Sequence, residues 1–164
     1  MNSMQQQPDL SVTLRPSTRD DDAFLFRLFA STRPELCSLQ LDDGQKQALI
    51  GMQFNAQRQQ YDTCYPQAEN CIILRPEAPV GRILVNRSAR EITLIDIALL
   101  PEYRNAGIGT ALIRTLLIEA TGERKLVRLH VLNSNPAKRL YERLGFTLAA
   151  DQSMYCEMMF VPPE

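Results

Sequence analysis

The stretch R-N-A-G-I-G-T-A-L-I-R-T-L-L-I-E-A, Arg104 to Ala120, decides how this chain reads. Gly107 and Gly109 stand one residue apart, and a strongly helical run begins there. The run before them, E-I-T-L-I-D-I-A-L-L from Glu91 to Leu100, reads as a strand, so the glycines occupy a strand-to-helix turn. A helix N-terminus presents unpaired backbone N–H groups and a partial positive charge. Glycine lets a ligand approach that backbone without meeting a Cβ. The combination is an anion site, most often for phosphate or pyrophosphate; the alternative is a close-packing turn. The dinucleotide fingerprint fails because Leu112 stands where its third glycine belongs, and the P-loop fails because no Gly-Lys-Ser/Thr follows.

Working outward, 164 residues make one ordinary domain with a sizeable core, and 45% apolar residues suit a soluble globular protein. With a formal charge of -1 and no basic cluster, neither nucleic acid nor an anionic membrane is expected as a partner. The Gln-rich start, Met1 to Pro8, has no apolar core, so it reads as neither signal peptide nor anchor. Residues 1–10 are expected to be a flexible tail and 11–161 a single domain. Cys37, Cys64, Cys71 and Cys156 lack C-x-x-C spacing, and His130 is the one histidine, so no metal site is expected. Cys71 and Cys156 fall in apolar runs, as small reduced hydrophobes do. A cytoplasmic location follows as the default.

Along the chain, Ser11 to Pro16 alternates as an edge strand stopped by proline. Thr18 and Asp20 can cap a helix carrying Phe24, Leu25, Leu28 and Phe29, closed by Pro34. Asp42 and Asp43 open a second helix, with Leu49, Met52 and Ala56 on one side and glutamines on the other. Asn70 to Arg75, Pro79 to Asn86 and Glu91 to Leu100 read as three strands whose short links favour antiparallel hairpins. The helix after Gly107 buries Ile108, Ala111, Leu112, Thr115 and Leu116, with Ile113 and Leu117 close by and Gly122 as its stop. A strand over Leu126 to Leu132, a short helix from Pro136 to Leu144 ended by Gly145, and a hairpin between Phe146 and Val161 complete a mixed α/β domain.

The stretch I-A-L-L-P-E-Y-R-N-A-G-I-G-T, Ile97 to Thr110, resembles the core signature of the GCN5-related N-acetyltransferases (GNAT). Arg104, Gly107 and Gly109 fall on that family's Arg/Gln-x-x-Gly-x-Gly/Ala. A second block, N-P-A-K-R-L-Y-E-R-L-G-F from Asn135 to Phe146, resembles its next motif, in the family's order. The resemblance spans about Ser11 to Val161, with its specific residues between Ile97 and Phe146. It implies the GNAT fold of the α/β (α+β) class: a central mixed, mostly antiparallel sheet of about six or seven strands flanked by about four helices. It also implies that the loop Arg104, Asn105, Ala106, Gly107, Ile108, Gly109 and Thr110 holds the pyrophosphate of acetyl-CoA through its amides. The backbone of Ile97, Ala98 and Leu99 would pair with the pantetheine arm, a contact akin to strand addition. A homodimer is a further expectation, since dimers are common among relatives.

Acetyl transfer to an amine requires the amine to lose a proton, although a free alkyl amine has a pKa of roughly 10.4. It needs a base, a donor for the oxyanion and a proton or hydrogen bond for the departing thiolate. A backbone N–H near Leu99 can supply the second. In the family the tyrosine of Leu-Tyr-Glu points at the coenzyme sulfur as general acid, and here that residue is Tyr141. His130 falls where some relatives carry a catalytic glutamate, and its pKa range suits a base. Asp96 is the rival, although a carboxylate in an apolar run also asks for a structural partner. Glu91, at the start of the same strand, is expected in solvent. Asn135 caps the short helix and, by resemblance, contacts the coenzyme, with Asn133 as the alternative because the spacing to Tyr141 departs from the family's by one residue.

The acceptor side is expected from the first two helices and the last hairpin, with Gln53, Gln57, Tyr61 and Tyr65 as substrate-binding residues or, alternatively, a solvated helix face. The leading reading is an N-acetyltransferase moving the acetyl group of acetyl-CoA to a primary amine, on a small molecule or a protein, by direct attack in a ternary complex. Its rivals are a coenzyme A-binding sensor without catalysis, against which Tyr141 argues, and a generic nucleotide-binding enzyme.

Overall fold

Strand β1 (Thr13–Pro16) starts the chain as described by the computed structural model, which covers residues 11–164. The tail expected over residues 1–10 lies outside the described residues. Thr18 caps a 3-10 turn that runs into α1 (Asp22–Ser31), whose Leu25, Leu28 and Phe29 are buried. Pro34 does not merely follow α1. It opens the one-turn α2 (Pro34–Cys37), because its fixed φ suits a first helical position. Helix α3 (Asp43–Cys64) begins at a capping box: Asp42 Oδ1 accepts from the Gln45 amide at 2.8 Å, and Gln45 Oε1 from the Asp42 amide at 3.2 Å.

The three apolar runs then form an antiparallel meander of β2 (Glu69–Leu74), β3 (Pro79–Arg87) and β4 (Glu91–Leu99). A 3-10 turn, Pro101–Tyr103, leads to α4 (Ile108–Glu123), and β5 (Leu126–Leu132) follows. Because a whole helix crosses between them, β5 returns parallel to β4. Helix α5 (Ala137–Arg143) and the hairpin of β6 (Thr147–Gln152) and β7 (Tyr155–Phe160) close the chain. Gly145, at φ 99°, makes the left-handed step from α5 into that hairpin.

The strands form one sheet in the order β1-β2-β3-β4-β5-β7-β6, antiparallel except at β4–β5. Five α-helices among the described residues exceed the expected four by the short α2. One core joins the sheet to α4 and α5 through residues such as Ile92, Ile113, Val127 and Met158. A smaller one joins the other face to α1 and α3 through Leu28, Ile50, Phe54 and Ile72.

Three local expectations are corrected. Helix α3 buries Ile50 and Phe54, while Met52 is 64% exposed, because the spacing Ile50, Phe54, Gln57, Tyr61 defines the inward face. In α4 Ile113 and Leu117, expected beside the stripe, are buried within it, and Thr115 is left outside. That helix passes Gly122 and ends at Arg124, which adopts the left-handed conformation itself. Cys156 is buried and Cys71 half-buried, both as free thiols.

The feature that positions the site is an irregularity in β4. Leu84 pairs with Asp96 but Val85 pairs with Leu94, so Ile95 is an extra residue on that strand. Such a bulge bends and twists the strand that carries it. Beyond it the strands part: β4 pairs with β5 only from Glu91 to Leu94, against Leu126 to Leu129.

Candidate active site

The parting leaves the backbone of Asp96 to Leu99 without a partner on the β5 side, while β3 holds the other edge. Beside it the glycine loop turns into α4. Asn105 and Gly107 both adopt positive φ, 58° and 87°, and Gly107 caps the helix with no side-chain hydrogen bond. Successive N–H groups in such a turn make an anion-binding concavity. An ideal Cβ on Gly109 would meet nothing within 4 Å, so no packing requirement of this chain explains that glycine. The Arg104 side chain folds back instead of facing outward. Its Nε donates to the Leu99 carbonyl at 2.9 Å and its Nη2 to Ser31 Oγ at 3.2 Å, which ties the loop to the end of β4 and to α1.

Tyr141 projects from α5 into the larger core and is 7% exposed, its ring edge-on to Phe146 at 5.7 Å between centroids. Burial, and secondarily the charge of Asp96, push its hydroxyl up to about 12. Tyr61, on α3, is raised to about 12 by burial and by the same carboxylate. The charge of Asp96 thus acts on both phenols, although they come from opposite faces of the sheet. It is not free: the Arg82 guanidinium on β3 forms an ion pair with it, and stands 5.8 Å from the centre of the Tyr61 ring. Structural pairing is thus the fate of Asp96, as a carboxylate in an apolar strand requires.

His130 lies one residue past the last β4–β5 pair, at the start of the opening, and its side chain is 46% exposed. It faces Glu157 on β7, with Nε2 3.9 Å from the carboxylate, and Glu157 is also the ion-pair partner of Arg128. Glu91 reaches Arg128 as well, at 3.3 Å, so it is half-buried and paired where a solvated residue was expected. Asn135 Oδ1 accepts from the Ala137 amide at 2.9 Å and caps α5. Asn133 is bound elsewhere, donating to Asp151 Oδ1 and the Ser153 carbonyl across the last hairpin.

The family model described as an acetyltransferase (GNAT) domain matches residues 67–148, half of the chain. The chain belongs to the GNAT acetyltransferases. That match takes in the meander, the glycine loop, α4, β5 and α5, and stops inside β6. Solved structures agree on the fold of this GNAT chain. The PaiA N-acetyltransferase of Thermoplasma acidophilum, in complex with coenzyme A, aligns at a TM-score of 0.68 with 16% identity, over 92% of this chain and 99% of that one. The ribosomal-protein-S18-alanine N-acetyltransferase of Escherichia coli aligns at 0.62 with 18% identity, over 94% and 96%. An acetyltransferase of Thermus thermophilus aligns at 0.66 with 19% identity, over 92% and 97%. No curated protein matches the sequence at a significant level.

Outside the matched motifs, this GNAT chain has a cavity of about 140 Å³ between α3 and the sheet. Gln57, Tyr61 and Tyr65 line it and Gln53 does not, because Gln53 falls off the inward face followed by Phe54, Gln57 and Tyr61. Arg82, Asn70 and Glu157 are site residues that the sequence reading missed. For Arg82 a partial signal existed: away from Arg87 and Glu91 at its turn end, the apolar hairpin carries only Arg82 and Asp96 as charged residues, two positions apart across the pair. Among the described residues no cluster of three metal-ligating side chains occurs, and no helix is long and apolar enough to cross a membrane.

Proposed function

We propose that the protein transfers the acetyl group of acetyl-CoA to a primary amine by direct attack in a ternary complex. The observation that carries this reading is one opening in the sheet. It has an uncapped, glycine-bearing helix N-terminus at its side, and Asp96, on the released end of β4, acts by its charge on the Tyr141 phenol. The amides from Arg104 to Thr110 bind the pyrophosphate of the coenzyme, and Asn135 adds a contact through the part of its amide not used as a cap. The backbone of Ile97, Ala98 and Leu99 takes the pantetheine arm as an added strand. The acetyl thioester is then held at the bulge, with a backbone N–H near Leu99 as donor to its oxygen.

His130 takes the amine proton. Asp96 is committed to its ion pair with Arg82 and contributes field at the opening instead. Tyr141 donates its hydroxyl hydrogen to the departing sulfur. A module that bound the coenzyme without catalysis would have no use for that hydroxyl, which makes no hydrogen bond within the described residues. The cavity beneath α3, with Gln57, Tyr61 and Tyr65, receives the acceptor.

The test is thermal stability with acetyl-CoA, coenzyme A, ATP and NAD in parallel. A ligand of the native state at a hundredfold its Kd adds about 2.7 kcal/mol. Both coenzyme A forms should raise the Tm and the two nucleotides should not. Stabilisation by ATP or NAD alone, or by none of the four, sinks the reading.

A further inference from the structure

The Arg104 side chain does something that an anion loop does not require of it. Such a loop binds through backbone N–H groups, which leaves the guanidinium at its entrance for other work. Here Nε donates to the Leu99 carbonyl at 2.9 Å, and Nη2 donates to Ser31 Oγ at 3.2 Å and to the Ser31 carbonyl at 3.4 Å. The Ser31 hydroxyl has a single hydrogen, and it goes to the Leu28 carbonyl at 2.6 Å. Its oxygen is thereby left to accept from Arg104. Leu28 is buried in the smaller core, whereas the glycine-bearing helix starts in the larger one. A chain of directed hydrogen bonds therefore runs from α1, on one face of the sheet, to the end of β4.

The orientation of the peptides tells what that chain fixes. The Leu100 amide donates to the Val80 carbonyl at 2.8 Å, so the Leu99 carbonyl, on the same planar peptide, points away from β3. That is the side from which β5 has parted. The Ala98 carbonyl points the other way, to where a Cβ on Gly81 of β3 would stand, so the Leu99 N–H also faces outward. Peptides alternate along a strand, and the register is regular from Asp96 to Leu99, so the Ile97 N–H and carbonyl face outward as well. Among these outward groups Arg104 occupies the Leu99 carbonyl.

We infer that Ser31 is a positioning residue for the coenzyme: through Arg104 it holds the Leu99 carbonyl and so presents Ile97 and the Leu99 N–H as a fixed edge for the pantetheine arm. This inference rests on the reading above that the edge takes that arm. An arm pairing there has the Ile97 carbonyl as its acceptor, because that of Leu99 is taken. Without the Ser31 hydroxyl, Arg104 keeps only its longer contact to the Ser31 carbonyl. The Leu99 peptide then gains freedom that binding has to remove again.

The experiment compares calorimetric binding of coenzyme A and of phospho-ADP, its fragment without the pantetheine arm, to the full chain. Ser31→Ala should weaken coenzyme A binding about three- to tenfold, the worth of one hydrogen bond, and leave the fragment within about twofold. Ser31→Thr, which keeps the hydroxyl, should restore coenzyme A binding. In an Arg104→Ala background Ser31→Ala should add nothing, because it acts only through that guanidinium. Unchanged coenzyme A affinity in Ser31→Ala overturns the inference. Equal losses for both ligands, or additive losses in the double variant, overturn it too. A second readout needs no coenzyme: exchange of the Arg104 Nε–H, the resonance absent from Arg104→Lys, should quicken in Ser31→Ala and not in Ser31→Thr. Quickened exchange in a chain that binds no coenzyme A overturns the coenzyme reading and keeps the relay. Coenzyme A binding with exchange unaltered by Ser31→Ala overturns the relay and keeps the coenzyme reading.

Discussion

Tyr141 shows how one side chain acquires a role from its surroundings. Burial and the Asp96 charge keep its hydroxyl protonated up to about pH 12, well above a free thiol's roughly 8.5, so it serves a departing sulfur as a hydrogen-bond donor at any working pH. Tyr141→Phe should lower kcat by roughly 10²-fold while coenzyme affinity stays within about twofold, read by steady-state kinetics and calorimetry. A variant with normal turnover removes Tyr141 from the mechanism. In the same assay His130→Ala should lower kcat by roughly 10²-fold, and unchanged turnover transfers the proton to another group. A second residue illustrates charge used for stability alone. The side-chain hydrogen bonds of Arg15, at 2.8 Å, and that of the Thr18 amide hold the Asp21 carboxyl down at about 2. Its pKa is depressed on folding, so its stabilisation is present above the unfolded carboxylate range near 4 and is lost as pH falls through about 2. Asp21→Asn should therefore lower Tm by a few degrees at pH 7 and have little effect at pH 2, measured by calorimetry; equal losses at both pH values would assign the effect to packing.

At the scale of elements, the bulge at Ile95 and the N-terminus of α4 act together. The bulge releases the end of β4 from β5, and α4 begins beside the released segment. Gly109 belongs to the first turn of that helix with open space around its Cα, so a side chain there should leave the fold alone and obstruct what comes to the amides. Gly109→Arg should keep the apo Tm within about 2 °C yet weaken coenzyme A binding by at least roughly a hundredfold by calorimetry. Unchanged affinity would refute the loop assignment. Gly81 is glycine for the opposite reason. A Cβ there would press on the Ala98 carbonyl and come within 2.8 Å of Leu99 Cδ2, so close approach of β3 to the released part of β4 depends on it.

Across the whole molecule the two cores are unequal. The larger one, on the α4 face, also holds Tyr141 and the start of the glycine-bearing helix through Ile108. The smaller one fastens α3 chiefly through Ile50 and Phe54, and Phe54 is the junction of an aromatic cluster, 5.6 Å from both Phe26 and Phe29. Removing that ring should cost about 3–5 kcal/mol and fall on α3 rather than on the coenzyme loop. Phe54→Ala is expected to speed amide exchange along α3 and abolish amine binding while coenzyme A still binds within a few-fold. Loss of coenzyme binding in step with amine binding would show that the two cores unfold as one.

Much of this was legible before any coordinates. Alternating and continuous apolar runs with short links specify β2 to β4, and the capping residues Thr18 and Asp42 and the glycine Gly145 mark where elements begin and end, because these are signals a few residues long. The glycine turn was legible for the same reason: its chemistry is carried by its own backbone. The helical faces were read less well, since Met52 or Phe54 can each lead a stripe until a sheet is there to choose between them. What the tertiary structure alone decided is every pairing across strands: Arg82 on Asp96, Glu157 beside His130, and Asn70 in the cavity with Arg82. Those contacts depend on register, and register here turns on one extra residue in β4, which local patterning does not reveal.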